Sequence, residues 1–591
     1  MITKKEFDVL LLLSRSANIV TQRFISKSTG YSLGSINNIL SSLHEKGLTS
    51  DNNTLSANGF AVLDSYKVDN AIIMAAGMSS RFAPLSYEKP KGLLKVKGEV
   101  LIERQIRQLM EAGINDITIV VGYMKEQFFY LQDKFNIRIV VNEDYYRYNN
   151  TSTLMYVTEQ LKNTYICSSD NYFEQNVFNS HEYHAYYSTV YSDGVTNEWC
   201  VKTDNKGRII NVEIGGSDAW YMLGHVYFDN VFSKDFSALL KRDYSTDAVK
   251  HMLWEEVYIN HIKELDIHAK HFESGTILEF DSLDDLRKFD KDYIENTNSK
   301  ILKNICSALG CKENDITNIS TIKNGPSGTS FKFNYNDAVY VYRHPNIHSD
   351  EYANHQNELS AIEIAKKLNL YNDLIYMNPE EFWKISYYTD DYRHFNYANP
   401  EDVTKAIGFI KKLHTSEVLY DSKFDLWEST ESMILKMKKS SRLDFAGFKE
   451  FHQLMAELKS YIEADAFPAT MCNNDFYDGN ILFDKAGSIL VSDWKYAGMG
   501  DPYGDFGTFI CCSNATFDEA VDMLERYHDY DMSPSQKRHA VGCVALASYH
   551  WYIWAIYQDN HGTPMGKNTY KWFMSAKRFC SEALKMYRSA Q

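Results

Sequence analysis

The chain has 591 residues, of which 44% are hydrophobic and 24% charged, and carries a net charge of −16. That length is too great for one hydrophobic core, and the composition excludes a disordered or fibrous chain. The negative balance gives the whole chain no attraction for nucleic acid or anionic lipid and directs attention to small-molecule chemistry. The nine cysteines form no C-x-x-C pair, so neither a disulfide framework nor a structural zinc site is expected. The leucine run at positions 10–13 is too short for a signal peptide or a membrane span, which predicts a cytoplasmic protein without membrane insertion.

Residues 1–66 read as three short helices and a hairpin: an apolar-periodic stretch from Lys4 to Leu13, then TQRFISKSTG, then SLGSINNILSSLHEKGL, then the turn-rich DNNTLSANG. Ser32 suits an N-cap and Gly47 a stop after Lys46. The pattern resembles a winged helix-turn-helix, whose partners would be DNA or a second copy of the chain in a homodimer. Within it Lys4, Lys5, Arg15, Arg23, Lys27 and Lys46 face Glu6, Asp8, Glu45, Asp51 and Asp64, a net charge of only +1. That is weak for neutralising phosphates.

A second domain, residues 67–292, opens with NAIIMAAG, a short apolar run entering a loop as a buried parallel strand does. ITIVVG, the helical KEQFFYLQDKF, IRIVVN and YICSSDN follow, an alternation that predicts an α/β domain with a mixed, mostly parallel sheet. The loop Ala75, Ala76, Gly77, Met78, Ser79, Ser80, Arg81 lets backbone N–H groups approach a triphosphate, and Arg81 and Lys91 can neutralise charge on leaving pyrophosphate. Asp170 ends another strand, where a carboxylate at the sheet's edge can hold Mg²⁺. Glu279 and Asp281, two apart in an extended segment, point to one side and can meet the same metal.

With Tyr148-Asn149-Asn150, Asp170-Asn171-Tyr172, Thr196-Asn197-Glu198-Trp199 and Trp254, this segment resembles bacterial CTP:phosphocholine cytidylyltransferases. The resemblance implies a Rossmann-like nucleotidyltransferase in which Asp170, Glu279 and Asp281 bind magnesium and Lys91 and Arg81 act on the phosphates of CTP. It places the nucleotide across the 75–81 loop and Asn149 and Asn150. A quaternary ammonium makes no hydrogen bonds and is recognised by aromatic faces, which nominates Trp199 and Trp254 for phosphocholine.

The pattern changes again near Ile301. Alternation with period two through SFKFNYNDAVYVYRH gives way to long helical stretches beyond Pro400, so residues 300–591 predict a small β-rich lobe and a large helical one. Asp475 and Asn480, five apart before an apolar run, and Asp493 at the end of the next run fit a kinase-like loop. In such a loop one Asp deprotonates the attacking hydroxyl, and an Asn and a second Asp hold Mg²⁺. Ser327 and Thr329 lie in a Gly-containing segment suited to covering ATP phosphates. Arg343 is the strand cation, and Glu358 on the next helix is its expected partner.

This segment resembles choline and ethanolamine kinases, a bilobal protein-kinase-like fold. The resemblance nominates Trp551, Trp554 and Tyr496, within D-W-K-Y-A-G, for choline. It departs from the family at Asn473, where the family has His, and at Lys495, where the family has a Glu that would favour a cation. The whole chain is thus expected to be a multidomain α/β and α+β enzyme that phosphorylates choline with ATP and then transfers CMP from CTP to phosphocholine. The alternatives are the same chemistry on ethanolamine, or a DNA-binding regulator that uses its catalytic domains as ligand sensors.

Overall fold

The computed structural model of the protein describes residues 2–16, 20–50, 52–294, 297–322, 328–345, 355–371, 373–388, 392–438, 443–465, 467–560 and 565–590. Its contacts divide into two compact units, Met1–Ser307 with Cys311–Asn314, and Ala308–Gly310 with Asp315–Gln591. Among the described residues no helix is long and apolar enough to cross a membrane.

The first unit begins with helices α1 (Lys4–Ser14), α2 (Gln22–Thr29), α3 (Leu33–Glu45) and α4 (Ala57–Asp64). Local chemistry sets their ends. Thr3 and Glu6 close a capping box on α1, and the Ser32 hydroxyl accepts from Ser35 N at the start of α3. The predicted hairpin is reduced to the single bridge Thr49–Leu55. A fourth helix, not anticipated, follows because the Ser56 hydroxyl caps ANGFAVLD. Tyr66 stacks on Tyr183 and Phe7 meets both rings at a tilt, with ring centroids 5.2–5.7 Å apart, and the Tyr183 hydroxyl donates to Ile2 O. The helical segment therefore packs within the same unit as the sheet that follows.

That sheet is built from β1 (Asn70–Ala75), β2 (Ile117–Val121), β3 (Arg138–Val141), β4 (Thr164–Ser168), β6 (Tyr186–Thr203), β7 (Ile209–Phe228) and β8 (His268–Phe272), in the order β8-β6-β7-β4-β1-β2-β3. A short β5 (Asn171–Phe173) lies outside it. Strands β1 to β4 run parallel, β7 is antiparallel to β4 and β6, and β8 is parallel to β6. Ile72, Ile73, Ile119 and Val120 are fully buried, as expected of parallel strands covered on both faces. Because Met74 pairs with Ser168, the loop after β1 and the turn after β4 leave the sheet at one edge. There β5 pairs with β9 (Ile277–Glu279), setting Asn171 opposite Glu279.

In the second unit β10 (Thr317–Thr321), β11 (Gly328–Tyr335), β12 (Ala338–Pro345), β13 (Leu374–Met377) and β14 (Lys384–Tyr387) form an antiparallel sheet of order β10-β11-β12-β14-β13. The period-two alternation of SFKFNYNDAVYVYRH forms a hairpin of β11 and β12. Its two-residue turn, Asn336-Asp337, has φ of 46° and 59°, the left-handed pair that matches strand twist. Helix α5 (His355–Lys367) lies between β12 and β13 in the chain. The helical part includes α6 (Pro400–His414), α7 (Pro502–Cys512), α8 (Pro534–Asn560) and α9 (Lys567–Ser589). Its core runs from Ala361 to Tyr587 and gathers Phe476, Trp494, Phe506 and Tyr549.

Candidate active sites

In the first unit a cavity of about 440 Å³ opens at the strand edge. It is lined by Ala75, Ala76, Gly77, Met78, Ser79, Ser80, Arg81, Lys91, Asn149, Asn150 and Asp170. Lys91 sits in a short turn whose next residue, Gly92, lies against Ser169; a Cβ there would come within 2.8 Å of the Ser169 side chain. This close approach carries the Lys91 ammonium to 2.9 Å from Asp170 Oδ2 and 4.0 Å from Glu279 Oε1. Arg81 Nη1 lies 3.3 Å from Asp281 Oδ1. Phe280 is buried while its neighbours Glu279 and Asp281 face outward, the alternation of extended backbone.

These charges are unequal in number. Partial withdrawal from water and then the Asp170 carboxylate push Glu279 up to about 7, with Lys91 pulling the other way. Carboxylates that outnumber the cations around them carry the charge to attract a divalent cation. Asp170, Glu279 and Asp281 are the residues that would hold it.

Asn149 and Asn150 fasten the far wall. The Asn150 side chain accepts from Trp254 N at 2.8 Å and donates to Glu255 Oε2 at 3.3 Å. Trp254 itself corrects the expectation from sequence. It is 1% exposed, stacks on Tyr187 at 5.8 Å and meets Phe228 and Phe236 edge-on. With its faces covered it is a core residue and has none to offer an ammonium. Trp199 is half-buried on β6, beside Glu198, whose carboxyl is pushed up by burial and by Asp281.

In the second unit the loop from Asn473 to Asn480 joins β15 (Thr470–Cys472) to β16 (Ile481–Phe483), and Asp493 follows β17 (Ile489–Val491). Buried Asp505 on α7 accepts from Asn473 N at 2.6 Å and Asn474 N at 2.8 Å, and also meets His414 Nε2 at 3.1 Å. Asn473 Nδ2 donates to Asp493 O at 2.7 Å, and Asn474 Nδ2 to Tyr496 O at 3.0 Å. Asn480 Nδ2 donates to Asp475 O at 2.9 Å, which leaves its Oδ1 for a cation. Asp475, Asn480, Asp493 and Tyr496 are thus tied into one framework, and Asn473 serves it through its amide.

Lys495 Nζ lies 3.5 Å from Asp493 Oδ2 and 5.1 Å from the Tyr496 ring centre. Burial opposes ionisation of Asp493, but Lys495, Lys384 and Arg343 outweigh it and hold the carboxyl well below its usual range. The expected pairing of Arg343 with Glu358 is corrected: Glu358 pairs with Lys384, which stands opposite Arg343 across the β12–β14 register. Ser327 lies outside the described residues, as does the side chain of Thr329. Trp551 stands 6.2 Å from Tyr496 and 5.4 Å from Trp554, so the three nominated aromatics are contiguous. Tyr496 and Trp551, however, are buried in the core and only Trp554 is partly exposed, which corrects the expectation for the first two as it does for Trp254.

Comparison with known proteins matches residues 71–170 to a MobA-like NTP transferase domain and residues 389–536 to the phosphotransferase enzyme family. The choline-phosphate cytidylyltransferase of Streptococcus pneumoniae is 35% identical over 228 residues, 39% of this chain and 99% of that protein. The chain belongs to the choline-phosphate cytidylyltransferase family. Also similar to it is the 2-aminoethylphosphonate cytidylyltransferase of Lancefieldella rimae, 35% identical over 229 residues, 38% of this chain and 93% of that protein. A crystal structure of choline kinase from Streptococcus pneumoniae aligns with 49% of the chain and 100% of its own length, at a TM-score of 0.41 and 17% identity. This member of the cytidylyltransferase family is an enzyme whose residues 389–536 also match the phosphotransferase enzyme family.

Three residues escaped the sequence reading of this family member. Glu255, pushed up to about 7 by withdrawal from water, accepts from both Asn150 and Tyr187. Asp505 organises the second loop, and Lys384 replaces Arg343 at Glu358. Only the D-P-x-x-D spacing that sets Asp505 on one turn of helix with the cap residue Asp501 was available as a signal; the partners of the other two depend on strand and helix packing.

Proposed function

We propose that the chain makes CDP-choline from choline in two steps at separate sites. In the second unit Asp475 accepts the proton of the choline hydroxyl as that oxygen attacks the γ-phosphorus of ATP, and the bond to the bridging oxygen of ADP breaks. Asn480 and Asp493 would hold Mg²⁺ there, which would supply positive charge for the ATP phosphates. In the first unit an oxygen of phosphocholine attacks the α-phosphorus of CTP in line and pyrophosphate leaves. Lys91 and Arg81 meet the phosphates, and Asp170, Glu279 and Asp281 would hold a Mg²⁺ ion, which would supply further positive charge for the phosphates.

The observation that carries this reading is the pairing of Lys91 with Asp170 in the wall of the cavity bounded by residues 75–81, with Glu279 4.0 Å from the same ammonium. The Glu255 carboxylate, beside Tyr187, is suited to balance an ammonium. Pyrophosphate release that requires both CTP and phosphocholine, and ADP release that requires both ATP and choline, test the two steps separately. Absence of either release removes that step from the proposal.

A second reading, the same chemistry on a primary amine, is favoured by the equal identity to the 2-aminoethylphosphonate relative. The Lys495 ammonium, where the resemblance calls for a Glu, would repel either cation and does not separate the two readings. ADP release with ethanolamine but not choline would select it.

A further inference from the structure

Lys384 opens β14, and its ammonium pairs with the Glu358 carboxylate on α5. Both side chains are withdrawn from water, 10% exposed for Lys384 and 2% for Glu358. Such a pair persists only while each charge is matched, because a lone charge in that setting is far costlier than the paired one. Arg343 lies directly opposite Lys384. Opposed residues of an antiparallel pair project from one face of the sheet with Cβ atoms about 5 Å apart, so the two cations emerge side by side. Both also stand close enough to Asp493 to bias its charge.

Two adjacent cations on one face divide their work according to the anions within reach. Among the described residues Glu358 pairs with Lys384 and Asp493 Oδ2 lies 3.5 Å from Lys495 Nζ, while no carboxylate pairs directly with Arg343, whose charge suits a triphosphate. We propose that Lys384 is the positioning cation of the phosphotransfer site, anchoring Glu358 from the strand beside the expected one and leaving Arg343 to meet the nucleotide phosphates. The inference rests on the phosphotransferase reading of the second unit and on no particular acceptor alcohol. It assigns to two residues on neighbouring strands the two duties, holding the helix carboxylate and gripping phosphate, that a single strand lysine combines in protein kinases.

The test is a double-mutant cycle on the full chain, read both by ATP binding and by ADP release. Lys384→Met should lower the rate of phosphotransfer roughly a hundredfold through misplacement of the site, with a smaller effect on ATP affinity. Arg343→Met should chiefly weaken ATP binding. Lys384→Met and Glu358→Gln should be non-additive, whereas Arg343→Met and Glu358→Gln should add. Lys384→Arg, which keeps the charge, should recover part of the rate and guards against a variant that merely unfolds. The apolar pair Lys384→Met with Glu358→Leu should restore the melting temperature but not the rate.

Restoration of the rate by that apolar pair would reduce the ion pair to scaffolding and overturn the assignment. Coupling of Glu358 to Arg343 in place of Lys384 would overturn it too. A wild-type chain that binds no ATP overturns the phosphotransferase reading and this assignment with it; one that binds ATP without the Lys384–Glu358 coupling overturns the assignment alone.

Discussion

Glu279 in the first unit and Asp493 in the second are both carboxylates within 4.0 Å of a lysine ammonium, and their protons are held in opposite ways. Glu279 is pushed up to about 7, by loss of water and by Asp170, while Asp493 is held down by Lys495, Lys384 and Arg343 against its burial. Loss of water acts upward on both, so the sign of the neighbours decides the outcome. Carboxylates outnumber the cations around Glu279, whereas lysine and arginine side chains surround the single carboxylate of Asp493.

The largest effects should come from removing the residues at the centre of that contrast. Asp170→Ala takes away a proposed metal ligand worth several kcal/mol and should lower pyrophosphate release roughly a thousandfold, with ADP release unchanged. Asp475→Ala should do the reverse, lowering only ADP release by about 10²–10⁴-fold. Loss of both activities in either folded variant would break the picture of two separate sites. Lys91→Met, which removes the cation shared by Asp170 and Glu279, should slow pyrophosphate release by about 10²-fold while leaving the second unit's reaction intact.

Smaller effects sharpen the distinction between aromatic core and aromatic site. Trp254→Ala should cost about 3–5 kcal/mol of stability, measured by denaturant unfolding, since its ring fills the core between Tyr187 and Phe236. Trp554→Ala should instead raise the KM for choline with little loss of stability. The smallest effect concerns Glu6. Burial pushes its carboxyl up, but Lys46, Thr3 and Ser42 outweigh this and bring it down to about 2. A depressed carboxyl stabilises the fold above its unfolded value near 4.5 and loses that contribution as the pH falls toward 2. Glu6→Gln should cost about 1–3 kcal/mol at neutral pH and flatten the acid limb of the unfolding curve between those values.

The parts legible in the sequence are those in which chemistry and short spacing coincide. The run from Ala75 to Arg81, Lys91 and the Glu279–Asp281 pair each announce themselves within a few residues, and the Asn336–Asp337 turn marks its hairpin because few residues adopt positive φ. Ser32 caps α3 for the same local reason. What stayed hidden was fixed by packing. Lys384 reaches Glu358 only because β14 lies next to β12, an order that periodicity does not encode. Trp254 and Trp199 are alike as letters, and only the neighbours Phe228 and Phe236 send one into the core. The helix α4 was read as part of a turn because its Asn and Gly outweighed a capping serine.

The central claim is that one chain carries both steps, and it is tested most directly by ³¹P NMR of the purified protein with Mg²⁺, ATP, CTP and choline. The account predicts a phosphomonoester signal from phosphocholine followed by the paired diphosphodiester signals of CDP-choline. Neither signal appearing, with choline or with ethanolamine, would contradict it.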